Sequence, residues 1–399
     1  MSLDWMEQTQ TIKGYPIRRD ATAWKEDDEE FFLDALAEYV DDIPSDIMQI
    51  EVGEEGELLK STADPDKHPT IIPFYPSPSD YPAQVRQVRR EQLVELHRMG
   101  VQVDLCEYVA AAGTAPKQVA FKYHINEGNM GVVWDEANCL LHISKHPNII
   151  PFDSLVVDQV EGQDKVVGFT TPFVAGGTIE RNVSRPFKFN HLRQLTSTID
   201  HLNLTLGIAH GDTTPYNLLI DPITDDLIIF DFNLASRLGW ESKDHRRQSY
   251  EPARDDVKFA AFTLYEIITR DTHLRDENYP HELDAAMVLD TSSGGAAPAW
   301  DKHEDVVLDA PVVEYRRHLD EWMATRQAAV ANRGKEEQVL TRWDQAHGAF
   351  DWPPLTRDTR GAVLRGDAEA GDAAEAVDGP TRRQVPDMAA AAELCAASP

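Results

Sequence analysis

The sequence predicts an α+β protein, and three observations carry that expectation. From Val101 to Phe173 the chain runs in short apolar stretches rich in Val, Ile and Phe, which read as strands. After Gly176-Gly177 the apolar residues recur at helical spacing instead. Hydrophobic residues make up 42% of the 399, enough for one large core or two modest ones. The 38 basic and 69 acidic residues give a net charge of −31, which disfavours nucleic-acid backbones and anionic membrane surfaces as partners. No window approaches the roughly 18 apolar residues of a membrane span. The opening MSLDWMEQTQTIKGYPIRRD lacks the apolar core of a secretion signal. An intracellular protein, cytoplasmic or nuclear, is therefore expected. Cys106, Cys139 and Cys395 form no CxxC and leave an odd thiol, so neither a zinc site nor a disulfide framework is expected.

Residues 1–60 hold 17 acids against 5 bases and read as a mobile acidic arm, with FFLDALAEYV (31–40) as a short helix inside it. Residues 61–82 are rich in Pro, Ser and Asp and read as an extended linker, because proline interrupts both helices and sheet ladders. Val85, Val88, Leu93, Val94 and Leu96 follow helical spacing up to Gly100, a C-terminal stop. VDLCEYVA, KQVAFKYHI, NIIPFDSLVV and KVVGFTTPF are the strands, interrupted by a helix at VVWDEANCLLHI. Helices are expected at 191–207, 256–270 and 312–327. The implied parts are 1–82, a sheet part at 83–172, a helical part at 173–330, an extension at 331–356, and a disordered Ala/Gly/Asp/Glu tail at 357–399.

The chemistry concentrates in AHGDTTPYNLLIDPITDDLIIFDFNLA, residues 209–235. It holds His210-Gly211-Asp212, then Asn217 five residues after that Asp, then a hairpin, then Asp231-Phe232-Asn233. Phosphoryl transfer from ATP needs charge arranged around a metal–phosphate complex more than it needs covalent help. Asp212 is placed to take the proton of an attacking hydroxyl, and Asn217 and Asp231 offer the hard oxygen ligands that suit Mg²⁺. The apolar runs LLI and LIIF set these groups on strands.

This segment resembles the catalytic loop and metal loop of the protein kinase superfamily, and the likeness extends over about residues 101–330. It implies a two-lobed fold, with a small antiparallel sheet lobe (83–172) and a larger helical lobe (173–330). Val119-Ala120-Phe121-Lys122 matches the strand of the nucleotide lysine, with Ala120 against adenine. Glu136, fourteen residues on, stands where the family has the glutamate that pairs with it, and Glu127 is a second candidate. His146-Pro147-Asn148-Ile149-Ile150 resembles the family's helix-to-strand junction. In GFTTPFVAGGTIE, Thr171 would gate the adenine pocket, Phe173 and Val174 would offer backbone groups, and Leu219 would close the pocket from below. Asp256-Val257 resembles the aspartate that braces the catalytic loop. Within the superfamily the chain resembles fungal kinase-like proteins that share PTIIPFYPSPSD…VDLCEY and FDFN. The resemblance implies ATP and Mg²⁺, with a protein Ser/Thr-type or small-molecule hydroxyl as acceptor.

The chain also departs from the family. VAAAGTAPKQ contains Gly113 alone in place of a glycine-rich loop, so ATP would be held differently. Gly211 replaces the arginine that senses loop phosphorylation, and Thr214 replaces a lysine near the transferring phosphoryl. Asp256 follows Asp231 by only 25 positions, without Ala-Pro-Glu between them. The stretch between includes His245-Arg246-Arg247, which read as a solvated loop or an acidic-ligand contact. Two rival functions follow: a pseudokinase serving as a nucleotide- or protein-binding module, and a small-molecule kinase, which the His-Gly-Asp triplet favours. Asn233 stands where the family has glycine. It is expected in the left-handed region, holding the metal loop with Asp231 toward the phosphates.

Overall fold

Strands and helices follow one another along this chain with two departures from the sequence reading: residues 85–100 form strands in place of a helix, and the acidic segment read as a mobile arm contributes a three-stranded sheet, because Ile50 and Val52 have apolar cover there. The structure, a computed structural model, describes residues 75–240, 249–289 and 300–332, apart from 101, 112, 124–126, 144 and 161. Nearer the N-terminus it describes residues 11–14, 38–39, 44, 47, 49–53 and 57–63. The tail at 357–399, the extension from 333, Cys395 and His245-Arg246-Arg247 lie outside the described residues, as does most of the helix expected at 31–40. Only Glu38 and Tyr39 of that segment are described, and they are helical.

The chain falls into two units, one of residues 1–76 with 124–127 and 356–399, the other of 77–123 and 128–355. In the first unit, β1 (Thr11–Gly14) pairs parallel with β2 (Gln49–Val52), which pairs antiparallel with β3 (Leu58–Thr62). Ile50 and Val52 are buried.

The second unit carries a six-stranded sheet of β4 (Gln87–Arg89), β5 (Val94–Gly100), β6 (Val103–Tyr108), β7 (Lys117–Tyr123), β8 (Ser154–Val160) and β9 (Gln163–Pro172), in the order β4-β8-β9-β7-β6-β5. The helix expected over 85–100 is therefore two strands joined by a 3₁₀ turn at Arg90–Gln92. Pairing with β8 and β6 satisfies the backbone there. A helix would need Val94 and Leu96 inside, and they stay 56% and 44% exposed. In β6 and β7 the period-two pattern decides the faces: Cys106, Tyr108, Val119, Phe121 and Tyr123 are buried on one side, and Ala120 and Lys122 point to the other. Gly168 of β9 lies opposite Tyr123 in the register. A Cβ at Gly168 would stand 2.2 Å from the Lys122 carbonyl oxygen, so only glycine lets β9 approach the lysine strand.

The remaining helices are α1 (Glu127–His142), α2 (Phe189–Asp200), α3 (Asp256–Thr269), α4 (His273–Glu277), α5 (Ala286–Leu289) and α6 (Val312–Asn332). α2 runs on into a π-helical turn, His201–Leu206, which Gly207 ends in the left-handed region. The Asp255 carboxylate caps α3 by accepting from the Lys258 amide at 2.7 Å. Every residue of α3 from Phe259 to Ile268 is buried, as expected of a helix at the centre of a core. Two antiparallel pairs, β10 (Ile208–Ala209) with β13 (Ser236–Arg237) and the hairpin of β11 (Leu218–Ile220) with β12 (Leu227–Ile229), complete the unit. Among the described residues no helix is long and apolar enough to cross a membrane.

Candidate active site

The β11–β12 hairpin sets the spacing of the central groups. Leu218 pairs with Ile229, so Asn217 and Phe230 meet at the open end, where the Phe230 amide donates to the Asn217 carbonyl at 3.2 Å. Asn217 and Asp231 thus leave the same end of one apolar hairpin. The Asn217 amide group donates from Nδ2 to both the carbonyl and Oδ2 of Asp212, each at 2.8 Å. Its nitrogen is spent on Asp212, so the amide oxygen is the end left for a cation.

Asp231 is the left-handed residue of the loop after β12, with φ +64°, and it starts the 3₁₀ turn Phe232–Leu234. Asn233, expected to be left-handed, lies inside that turn and does not have positive φ. The strain sits two residues earlier, where it turns the Asp231 carboxylate toward Lys122. The Lys122 ammonium donates to Asp231 Oδ1 at 2.5 Å and to Glu136 Oε2 at 2.6 Å. The other Glu136 oxygen accepts from the Phe232 amide at 3.1 Å, which ties α1 to the Asp231–Leu234 turn. Glu136 is therefore the partner of Lys122; the Glu127 side chain lies outside the described residues.

One ammonium faces two carboxylates in this cluster. Burial works against the charged lysine, but Asp231 and Glu136 more than offset it and hold Lys122 above its ordinary pKa. Burial pushes the Glu136 carboxyl up against the pull of Lys122, and the neighbouring Asp231 adds to the rise. With all three ionised the cluster has an excess negative charge, which suits a bound cation. Among the described residues no group of three or more His, Cys, Asp and Glu side chains is placed to hold a metal ion. The donors available here are instead one amide oxygen and one carboxylate, a hard-oxygen pair that fits Mg²⁺ and leaves further positions for a ligand's own oxygens.

The segment His210–Asp212 hangs from α3. The Asp256 carboxylate accepts from the His210 amide at 2.8 Å and the Gly211 amide at 2.9 Å. The His210 ring packs edge-on against Phe232, with ring centroids 4.7 Å apart. Its Nε2 faces the Phe230 carbonyl at 3.0 Å and Nδ1 accepts from the Asp212 amide, which assigns the proton to Nε2. Gly211 has φ +74°, and a Cβ there would stand 2.7 Å from the Leu234 carbonyl oxygen. An arginine cannot occupy this backbone, which is a physical reason for the glycine that the sequence alone does not reveal.

The adenine-side expectations meet across β7 and β9. Ala120 and Thr171 are direct cross-strand partners, both half-buried. Leu219 bridges to Thr178 just beyond Gly176-Gly177 and is 9% exposed. The Phe173 amide is already spent on the Gln118 carbonyl at 3.2 Å, so Phe173 retains only its carbonyl for a ligand, whereas Val174 keeps its amide. Between β6 and β7 the connection around Gly113 is exposed, and Gly113 takes φ +82° in open space. Sequence reasoning missed Gly168, Gln118 and Asn203. The first two show only in the strand register, and Asn203 carries no sequence signal, standing between the equally polar His201 and Thr205 of the same turn. No protein-family model matches this chain, and no curated protein matches it in sequence.

Proposed function

We propose that this chain is an ATP-dependent phosphotransferase of the protein kinase type, with the β4–β9 sheet and α1 as the smaller lobe and α2–α6 as the larger. The observation that carries the reading is the ion cluster of Lys122, Glu136 and Asp231, drawn from a strand, a helix and a left-handed loop residue 109 positions beyond the lysine. A structural ion pair needs no such convergence with a loop aspartate and a braced Asp212. Lys122 would bind the α- and β-phosphates and Glu136 would orient it. Ala120, Thr171 and Leu219 would line the adenine end, with the Phe173 carbonyl and the Val174 backbone as its polar contacts. Asn217 and Asp231 would hold Mg²⁺, which neutralises charge on the phosphates. Asp212 would accept the acceptor's proton as its oxygen bonds to the γ-phosphorus and the bond to the ADP oxygen breaks. A hydroxyl on protein, nominally Ser or Thr, is the acceptor.

Incubation with γ-labelled ATP and Mg²⁺, using separated protein and metabolite pools, tests this reading. Label on a protein acceptor, lost in Asp212→Asn, is the expected result. Label confined to metabolites would instead support a small-molecule kinase. A second reading, a nucleotide-binding module without transfer, is favoured by the exposed β6–β7 connection with its single glycine; bound Mg-ATP with no label in either pool would support it.

A further inference from the structure

We propose that Arg326, near the C-terminal end of α6, is a positioning residue for the His210–Asp212 loop and acts through Asn203 and Asp256. The inference rests on the proposed function only for what that loop does; the relay itself is built from contacts in the fold. Asn203 sits on the π-helical turn, 6% exposed, and each end of its amide is committed. Its Nδ2 donates to the Ile208 carbonyl and to Asp256 Oδ2, both at 2.8 Å. Its Oδ1 accepts from the Arg326 guanidinium at 3.0 Å. The same Asp256 carboxylate then holds the His210 and Gly211 amides.

Arg326 decides which way this amide points. Without a donor at Oδ1, the oxygen is orphaned in a buried site. A flip of the amide would place it against the Asp256 carboxylate, oxygen facing oxygen. Either outcome loosens the carboxylate that carries the loop. Arg326 is itself well fixed. One guanidinium arm donates to Asp200 Oδ1 at 2.5 Å, its plane lies over Trp322 at 5.5 Å, and its side chain is 11% exposed. The Trp322 indole N–H donates to the other Asp200 oxygen at 3.0 Å. The π-helical turn supplies the last requirement, because widening α2 there turns Asn203 inward between α3 and α6.

Amide hydrogen exchange of the full chain tests the relay, since the His210 and Gly211 amides are themselves the reporters and need neither nucleotide nor acceptor. Arg326→Met keeps an apolar side chain over Trp322 and removes both donors. Exchange in a peptide spanning 208–217 should quicken by about ten-fold, the effect of one orphaned buried acceptor. Tyr315→Phe serves as the control. It loosens α6 at its other end by removing the hydroxyl that bonds the Phe187 carbonyl and Asp309, and it should leave 208–217 unchanged. Arg326→Lys retains one charge that reaches Asp200 and not Asn203, so it should quicken the same peptide while remaining folded. Unchanged exchange at 208–217 in the Arg326 variants, or an equal rise in Tyr315→Phe, would overturn the relay. Loss of Mg-ATP binding in the wild type would overturn the functional reading and leave this result standing.

Discussion

Replacing Gly211 with alanine should cost far more than a one-carbon change at a loop position suggests. Two terms add. An L-residue at φ +74° pays about 1–2 kcal/mol for the left-handed conformation. The new Cβ would also lie 2.7 Å from the Leu234 carbonyl oxygen, well inside van der Waals contact. The loop has little room to retreat, because the His210 and Gly211 amides are both bound to Asp256. Relieving the clash means stretching one of those bonds or displacing Leu234, at about 1–2 kcal/mol more. The total is about 2–4 kcal/mol. Gly113 supplies the control, for it has a similar φ of +82° but nothing within 4 Å of its Cβ position, so Gly113→Ala should carry the conformational term alone. Urea unfolding of both variants against wild type, at unchanged m, reads the difference directly. If Gly211→Ala is no less stable than Gly113→Ala, the close approach to Leu234 does not constrain residue 211, and the account of this glycine is wrong.

Lys122→Met should abolish Mg-ATP binding and also lower stability by about 3–5 kcal/mol, because Glu136 and Asp231 would be left facing each other with no cation between them; a mutant as stable as wild type in urea would mean the pair of contacts is energetically idle. Asp212→Asn should lower the transfer rate by about 10²–10⁴-fold while leaving calorimetric ATP affinity nearly unchanged, and equal rates would point to a different base. Asp153, 6% exposed at the side chain, is buried against its charged form, yet bonds from Lys117, Tyr108 and Thr170 outweigh that and hold its pKa below the ordinary 3.8. Its stabilisation is therefore full above 3.8 and lost as the pH falls from there through the depressed pKa, so Asp153→Asn should cost about 1–3 kcal/mol at pH 7 and flatten the acid limb of the stability curve. An acid limb identical in mutant and wild type would remove Asp153 from the account.

Strands β6–β9, β11 and β12 and helices α1–α3 and α6 were legible because their apolar runs have strand or helix length, and in β6 and β7 burial alternates with period two; the short helices α4 and α5 carry no such signal. The stretch from Val85 to Gly100 was not legible, since its apolar spacing fits a helix and only the long-range partners β6 and β8 reveal the strands. At the site, Asp212, Asn217 and Asp231 were readable from residue type and spacing, whereas Lys122 and Glu136 followed only from the resemblance to the protein kinase superfamily; the structure brings Lys122 against Glu136 and Asp231, and Asn217 against Asp212. What spacing could not supply was backbone conformation. The resemblance pointed to Asn233 as the left-handed residue of the Asp231–Asn233 loop, whereas Asp231 takes those angles. Nor could it show that the Phe173 amide is already consumed by Gln118, which depends on how β9 leaves the sheet.

Calorimetric titration of the chain with ATP, with and without Mg²⁺, bears most directly on the site formed by Lys122, Glu136, Asn217 and Asp231. Asp231→Asn is the informative variant, because asparagine tolerates the left-handed angles and removes only the charge. Saturable binding of one nucleotide per chain, dependent on Mg²⁺ and lost in Asp231→Asn, is the result predicted. Absence of binding by the wild type, or binding that neither Mg²⁺ nor Asp231→Asn changes, would contradict it.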